Sequence, residues 1–381
     1  MLSLACHIYN QSMEEALLGG LSPQVFLRRY WQKRPLLVRH ALPGMRGVIE
    51  KRALFALAAR TDIESRLVQR RGKKWQVARG PLSQSLLRRA GTRNWTLLVN
   101  GVNHHDAWAE QLLRCFAFVP QARLDDVMVS YAAPGGGVGP HFDSYDVFLL
   151  QAQGRRRWRL ARARDFDLVP GAPLKLIARF LAEQEVVLEP GDLLYLPPGW
   201  GHDGVALDAC CTYSIGFRAP RGAELAAGFL DHLHERGLPD AVYRDPGLRP
   251  AARAARIGPE LLAFAEAQLA RIRWKRGDVE EFLGRYLSAP KGNVVFSSNR
   301  KLNGKIEDKT VKLDAKTQFL YLNSRFFING EVLRTRASQR KVLAALADER
   351  RAPGRALARA GLGRLILEWH RSGYLSLEPK P

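Results

Sequence analysis

The sequence predicts a mixed, mainly β protein. A closed or double-sheet β-barrel of the jelly-roll kind occupies the middle, a helical segment follows it, and a small winged-helix-like module ends the chain. Three observations carry this expectation. Between about residues 95 and 220, short apolar or alternating runs are separated by Gly, Pro and Asp, as in a barrel of many short strands. From 221 to 290 the pattern lengthens to helical period. After Ser288-Ala289-Pro290, hairpin-like runs precede two helical stretches. A chain of 381 residues has room for two or three domains, placed here at 1–220, 221–290 and 291–381.

The elements follow in order. Residues 10–30 read as a helix, with Ser12 as a cap and a loose stripe from Leu17 to Leu27. Pro35 disfavours helix at Arg34, so 30–38 turns extended. The strand candidates are 95–102, 126–133, 146–154, 156–162, 185–199 and 211–219. Helices are expected over 223–237, 259–273 and 278–287, the second opening on Pro259. Six of the 14 lysines fall in 291–316, where composition shifts. Residues 293–335 read as hairpins, 338–349 and 354–371 as helices, and the end as a short strand.

Composition narrows the class. Apolar residues make up 46% and charged residues 25%, which excludes a disordered or fibrous chain. No apolar run reaches the ~18 residues of a membrane span. The first 20 residues have no basic start and include Glu14 and Glu15, so no secretory signal is read and a cytoplasmic protein is expected. The four cysteines, Cys6, Cys115, Cys210 and Cys211, form no C-x-x-C and are expected to be reduced, mostly buried thiols. The net charge of +22 is uneven: residues 1–100 carry +13, 101–250 carry −4 and 251–381 carry +13. A mildly acidic centre between basic flanks suits a cationic substrate, with flanks able to touch RNA.

The chemistry concentrates in Pro134-Gly135-Gly136-Gly137-Val138-Gly139-Pro140-His141-Phe142-Asp143. A Gly-rich turn is expected to lead into a strand that opens His-x-Asp, and i and i+2 share a face. His141 and Asp143 then converge on one cation. A second imidazole, His202, follows the apolar strand and rigid Pro197-Pro198-Gly199 corner. Two imidazoles and one carboxylate make the facial triad of non-haem Fe(II) oxygenases, which leaves positions open. The other histidines fit this poorly: His104 and His105 are adjacent, His232 and His234 split across a helix, and His7, His40 and His370 are isolated. In Gly154-Arg155-Arg156-Arg157-Trp158-Arg159-Leu160, alternation puts Arg156 with Trp158 and Leu160 on the inward face. A buried Arg needs a carboxylate partner, either an internal acid or the distal carboxylate of a 2-oxoglutarate co-substrate. By the same parity Ser130 faces with Met128 and is a second candidate contact. Asp125, Asp126 and Asp146, with Tyr145 by stacking, are candidates for recognising a cationic side chain.

These segments resemble a known family. H-F-D at 141–143, G-R-R-R-W at 154–158, E-P-G-D-L-L-Y-L-P-P-G-W-G-H at 189–202 and Y-S-I-G-F-R-A-P at 213–220 look like the JmjC-type cupin oxygenases, whose barrel is a double-stranded β-helix. Within them, P-G-G-G-V-G-P-H and W-Q-K-R-P (31–35) resemble the bacterial ribosomal oxygenases. Those hydroxylate the β-carbon of an arginine in large-subunit ribosomal protein sixteen. The resemblance is specific from about residue 20 to 220 and looser beyond. It implies Fe(II) on His141, Asp143 and His202, 2-oxoglutarate on Ser130 and Arg156, and O₂ as the oxidant. It also implies a ribosomal protein substrate and a helical dimerisation segment, hence a homodimer. The basic flanks add contact with rRNA, and no membrane partner is expected. The competing readings are a JmjC-type N-methyl demethylase and a non-catalytic RNA- or ribosome-binding cupin protein.

Overall fold

The computed structural model describes residues 13–45, 48–162, 166–298 and 305–379. Cys6, His7 and Ser12 lie outside the described residues. The expected helix over 10–30 is broken: residues 13–17 are helical, Gly19 and Gly20 take positive φ, and Ser22 caps a new helix, α1 (Pro23–Arg29), through Val25 N–H.

The central barrel is a jelly roll, as expected. Its large sheet holds eight strands in the order β1 (Leu36–Val38), β9 (Leu193–Leu196), β6 (Val147–Gln153), β11 (Cys210–Phe217), β5 (Leu124–Ala132), β4 (Trp95–Val99), β2 (Ser65–Arg71), β3 (Lys74–Arg79). Facing it is a small sheet, β10 (Trp200–Ala206), β7 (Arg156–Arg162), β8 (Gln184–Leu188). All pairings are antiparallel. Helices α1, α2 (Lys51–Ala58), α3 (Gln84–Arg89) and α4 (Ala107–Arg114) accompany the large sheet. The main core lies on that side, around Phe26, Phe116, Phe148, Tyr195, Tyr213 and Phe217. A second cluster, Val147, Leu149, Trp158, Leu160, Leu188, Leu194 and Leu196, fills the space between the sheets. The alternation along β6 is therefore functional: Phe148 and Leu150 face the helices, Val147 and Leu149 the barrel interior.

Several strands depart from expectation. The run at 185–199 is two strands, because Glu189-Pro190-Gly191-Asp192 turns the chain, with Gly191 at φ +95°. Asp192 closes that turn by accepting from Glu189 N–H (3.0 Å), His40 N–H (3.0 Å) and Arg39 Nη1 (2.6 Å). The hairpin β2–β3 was hidden by its charge, and β10 by its two glycines, which sit badly in a strand read from propensity.

Beyond the barrel come α5 (Gly222–Glu235), α6 (Pro259–Leu269) and α7 (Arg276–Ser288), close to the expected helices. Residues 293–298 form no strand, against expectation, and β12 (Lys309–Leu313), inside the expected hairpin region, pairs instead with the distant β16 and β17. The meander β13 (Phe319–Leu322), β14 (Arg325–Ile328), β15 (Glu331–Leu333) matches the predicted hairpins and turns on Asn323 and Asn329-Gly330, all at positive φ. Then follow α8 (Ala337–Glu349), β16 (Arg351–Pro353), α9 (Gly354–Arg359), α10 (Gly363–Arg371) and β17 (Leu375–Pro379). The single helix expected over 354–371 is split at Gly361. The three helices pack on the sheet β16-β12-β17 around Leu343, Leu346, Leu357, Ile366 and Trp369.

Candidate metal and co-substrate site

His141, Asp143 and His202 come together, with one ligand atom from each within 4.8 Å of the others. The route differs from the one the sequence suggests. His141 does not open a strand; it makes an isolated antiparallel bridge to His202 on β10. The two residues exchange backbone hydrogen bonds, His141 N–H to His202 O (3.0 Å) and His202 N–H to His141 O (2.8 Å). Gly199 N–H donates to Asp143 O (2.8 Å), tying the other end of the His-x-Asp segment to the Pro-Pro-Gly corner. The Gly-rich loop ahead of His141 is admitted by its glycines. A Cβ on Gly136 would collide with Trp95 O, and one on Gly137 with Gly204 O at 2.5 Å.

The tautomers are fixed by the backbone. Nδ1 of His141 lies 2.9 Å from Gly139 O, and Nδ1 of His202 lies 2.9 Å from Trp200 O. A carbonyl only accepts, so each Nδ1 carries the proton and each Nε2 presents a lone pair. His202 Nε2 is 3.7 Å from Asp143 Oδ2. Burial, reinforced by His141, pulls His202 down to about 4, so its imidazole is neutral at physiological pH. Two imidazoles that turn Nε2 toward one carboxylate fit a divalent cation.

Arg156 points inward, as parity predicts. The burial of β7 alternates with Arg156, Trp158 and Leu160 inside. Arg156 is 5% exposed, its Nη2 lies 3.6 Å from Cys210 Sγ, and its Nε has no hydrogen-bond partner. Among the described residues no carboxylate pairs with it, so the internal-acid alternative is removed. An unpaired buried guanidinium is costly unless an anion joins it, and this one fits a carboxylate from outside. The ladder between β7 and β10 sets Leu160 opposite His202, Trp158 opposite Gly204 and Arg156 opposite Ala206. His202 and Arg156 thus line one wall, with about 13 Å of strand between His202 and Ala206. Gly204 is required there: a Cβ would lie 2.6 Å from the Trp158 ring.

Ser130 faces the same interior from β5, buried, with its Oγ 3.5 Å from Thr212 O. Ala132, two residues on, pairs with Cys210 and so meets the Arg156 end of the barrel. Sequence reading missed a polar pair beside it: Thr212 Oγ1 donates to Gln151 Oε1 (2.9 Å), both fully buried. The signal was Gln151 inside the otherwise apolar run 147–152.

The acidic candidates separate. Asp146 is 0% exposed and accepts from Gln32 Nε2 (3.0 Å) and Tyr195 OH (2.6 Å), with Arg123 at 3.7 Å; it is a structural group and not a free recognition carboxylate. This explains W-Q-K-R-P: Trp31 stacks on Tyr195 and Gln32 holds Asp146. Asp125 is likewise taken, by Lys291 (2.9 Å) and Arg218 (3.4 Å). Asp126 shares the inward parity of Met128 and Ser130, accepts from Gly101 N–H (3.1 Å), and has Lys291 Nζ at 3.3 Å. Tyr145 is 41% exposed beside Asp143. Burial raises its hydroxyl above the usual phenol range, with Asp143 and Asp126 adding to the shift. Cys115, Cys210 and Cys211 are free and buried, as expected. His104 is a half-buried imidazole lowered to about 4 by desolvation, and His232 is buried on α5 while His234 is exposed; neither pair joins the site.

Comparison with known proteins agrees with this geometry. A family model described as a JmjC domain matches residues 111–225. The Escherichia coli (strain K12) protein named ribosomal protein uL16 3-hydroxylase is 42% identical over 236 residues, covering 62% of this chain and 63% of that protein. A Haemophilus influenzae protein named probable ribosomal oxygenase is 37% identical over 223 residues, covering 57% and 54%. The aligned stretches thus span less than two thirds of these relatives. Solved structures extend the likeness. An X-ray structure of E. coli ycfD superposes with a TM-score of 0.81 at 32% identity, covering 94% of this chain and 98% of that one. A structure titled as YcfD, a ribosomal oxygenase from Escherichia coli, in complex with cobalt and 2-oxoglutarate gives 0.77 at 33% identity, with the same coverage.

Proposed function

The chain belongs to the JmjC-type ribosomal oxygenases, and on that premise we propose that it is an Fe(II)- and 2-oxoglutarate-dependent protein hydroxylase. Its substrate is the large-subunit ribosomal protein numbered sixteen, and the position oxidised is the β-carbon of an arginine. The observation that carries this reading is a buried, unpaired Arg156 on the same barrel wall as His202 of a His141–Asp143–His202 cluster. A metal-binding protein of another kind has no use for a guanidinium inside its barrel that no carboxylate pairs.

When bound, Fe(II) with 2-oxoglutarate and O₂ supplies the oxidising power that puts one oxygen atom into a C–H bond. The chain does the placing. His141, Asp143 and His202 would hold the metal through Nε2, a carboxylate oxygen and Nε2, three protein ligands that would leave positions for co-substrate and O₂. Arg156 would receive the distal carboxylate of 2-oxoglutarate in a fork of donors, and Ser130 would add a hydroxyl. Trp158, Leu149 and Leu194 exclude water between the sheets. At the mouth, Tyr145 offers an aromatic face to an arginine side chain.

With this function go three domains: 1–220 catalytic, 221–290 a dimerisation segment, 291–381 a winged-helix-like module. Exposed apolar residues on the helical segment, among them Leu230, Leu262, Leu269 and Trp274, support a homodimer. The α8–α10 helices on a three-stranded sheet support the last assignment. A cytoplasmic site of action follows from the substrate, and no helix of the described residues is long and apolar enough to cross a membrane. The test is the product formed on a substrate peptide with Fe(II) and 2-oxoglutarate. A stable gain of one oxygen supports hydroxylation; release of formaldehyde would replace it with N-demethylation.

A further inference from the structure

Residues 65–105 contain nine Lys or Arg and not one Asp or Glu. The fold gathers most of them on one surface. Arg70, Arg71, Lys73 and Lys74 crowd the tip of the β2–β3 hairpin, where Arg70 pairs with Trp75 and Arg71 with Lys74. Arg88, Arg89 and Arg93 come from the end of α3 and the loop after it. That loop lies along the hairpin: Arg70 N–H donates to Asn94 O (2.9 Å) and Gln69 Nε2 to Ala90 O (3.5 Å). All seven cations are exposed, and none makes an ion pair among the described residues.

Like charges gathered without counter-charges repel one another, and solubility does not ask for such a cluster. β3 is the outermost strand of its sheet, and charge protects an edge from unwanted pairing. One or two lysines on the strand serve that purpose. Three more arginines beyond the edge do not. The patch also borders the site. Trp75 packs on Gly139, two residues before His141, where a Cβ would lie 3.0 Å from its ring. Asn94 N–H donates to Pro134 O (2.9 Å) at the start of the same loop.

We propose that this hairpin-and-helix face binds the phosphate backbone of RNA beside the catalytic mouth. Its charge suits a polyanion and repels a basic peptide, so it is not the substrate groove. No large apolar residue between Leu37 and Tyr145 is exposed, so the face carries nothing to insert into a membrane. The preference for RNA over DNA rests on the ribosomal reading of function; the binding of a polyanion does not.

The test is fluorescence anisotropy of the full chain with a labelled oligouridylate and a labelled hairpin of ribosomal RNA, over a salt series. Binding is expected to weaken linearly in log salt. The triple variant Arg71→Glu/Lys73→Glu/Lys74→Glu should bind at least about tenfold more weakly, with a slope shallower by about 2 for three lost contacts. A control triple, Arg340→Glu/Lys341→Glu/Arg364→Glu, changes net charge equally and should bind like the parent. Both variants should keep 2-oxoglutarate turnover, which reports an intact fold and separates this claim from that of the hydroxylase. Absence of salt-dependent binding by the parent, or equal weakening in both triples, overturns the surface. Equal affinity for duplex DNA of the same length, or for phosphatidylserine vesicles with none for RNA, overturns the assignment to RNA.

Discussion

His141 and His202 face each other across a single antiparallel bridge, exchanging both backbone hydrogen bonds and holding their ring centroids 4.2 Å apart. Their separation of 61 positions in the chain is closed by two peptide groups. The metal site is therefore built by the backbone before any metal arrives. Co(II) titration should find one site in the parent. His141→Ala or His202→Ala should weaken it by more than about 100-fold, beyond the 10–100-fold that a supporting residue costs. Loss of less than tenfold from either would remove that histidine from the ligand set.

Arg156 makes opposite predictions for stability and for binding. Arg156→Met takes a costly unpaired charge out of the interior, so the ligand-free protein should gain up to about 1–4 kcal/mol. The same variant should lose about 10–100-fold in apparent affinity for 2-oxoglutarate, the worth of hydrogen bonds between charged groups. Thermal denaturation with and without 2-oxoglutarate reads both. A variant that is less stable and binds as before would make Arg156 a structural residue.

Tyr145, exposed beside Asp143, lies at the mouth and not on the metal. Tyr145→Ala should raise KM for the substrate peptide about tenfold or more while leaving substrate-free turnover of 2-oxoglutarate near the parent's. Equal loss in both assays would move it from recognition to the structure of the site.

Asp192 couples the E-P-G-D turn to the acid stability of the barrel. Burial opposes its charge, but the N–H groups of Glu189 and His40 and the Arg39 guanidinium outweigh it and hold the carboxyl below its ordinary value. A depressed carboxyl stabilises the fold above its unfolded pKa, about 3.9, and that stabilisation is lost as pH falls below it. Tm of the parent should fall on acidification through that range. In Asp192→Asn the acid limb should be shallower and Tm at neutral pH lower, by roughly 1–3 kcal/mol of stability. An unchanged acid limb would take Asp192 out of the pH response.

The site was more legible than the framework that makes it. His141, Asp143, His202 and Arg156 could be named because chemistry restricts residue type, and because alternation in β7 sorts one arginine from three. Why the triad converges was not legible: the bridge between His141 and His202 is a long-range backbone contact, and β10 is written with glycines that suit close packing against Trp158 and the Gly-rich loop. Asp146 misled for a related reason. A carboxylate three residues from the metal segment looks available until Gln32, 114 positions away, is folded against it. The β13–β14–β15 hairpins, which turn on Asn323 and Asn329-Gly330, were legible because their cause is local, whereas the helix breaks at Gly19-Gly20 and Gly361 were not.

The most direct test is mass spectrometry of ribosomal proteins from cells lacking this protein, after incubation with it, Fe(II) and 2-oxoglutarate, with His141→Ala in parallel. A gain of one oxygen on an arginine of a single large-subunit protein, absent with His141→Ala, is the predicted result. Consumption of 2-oxoglutarate with no modified ribosomal protein would contradict the substrate, and neither consumption nor modification would contradict the oxygenase itself.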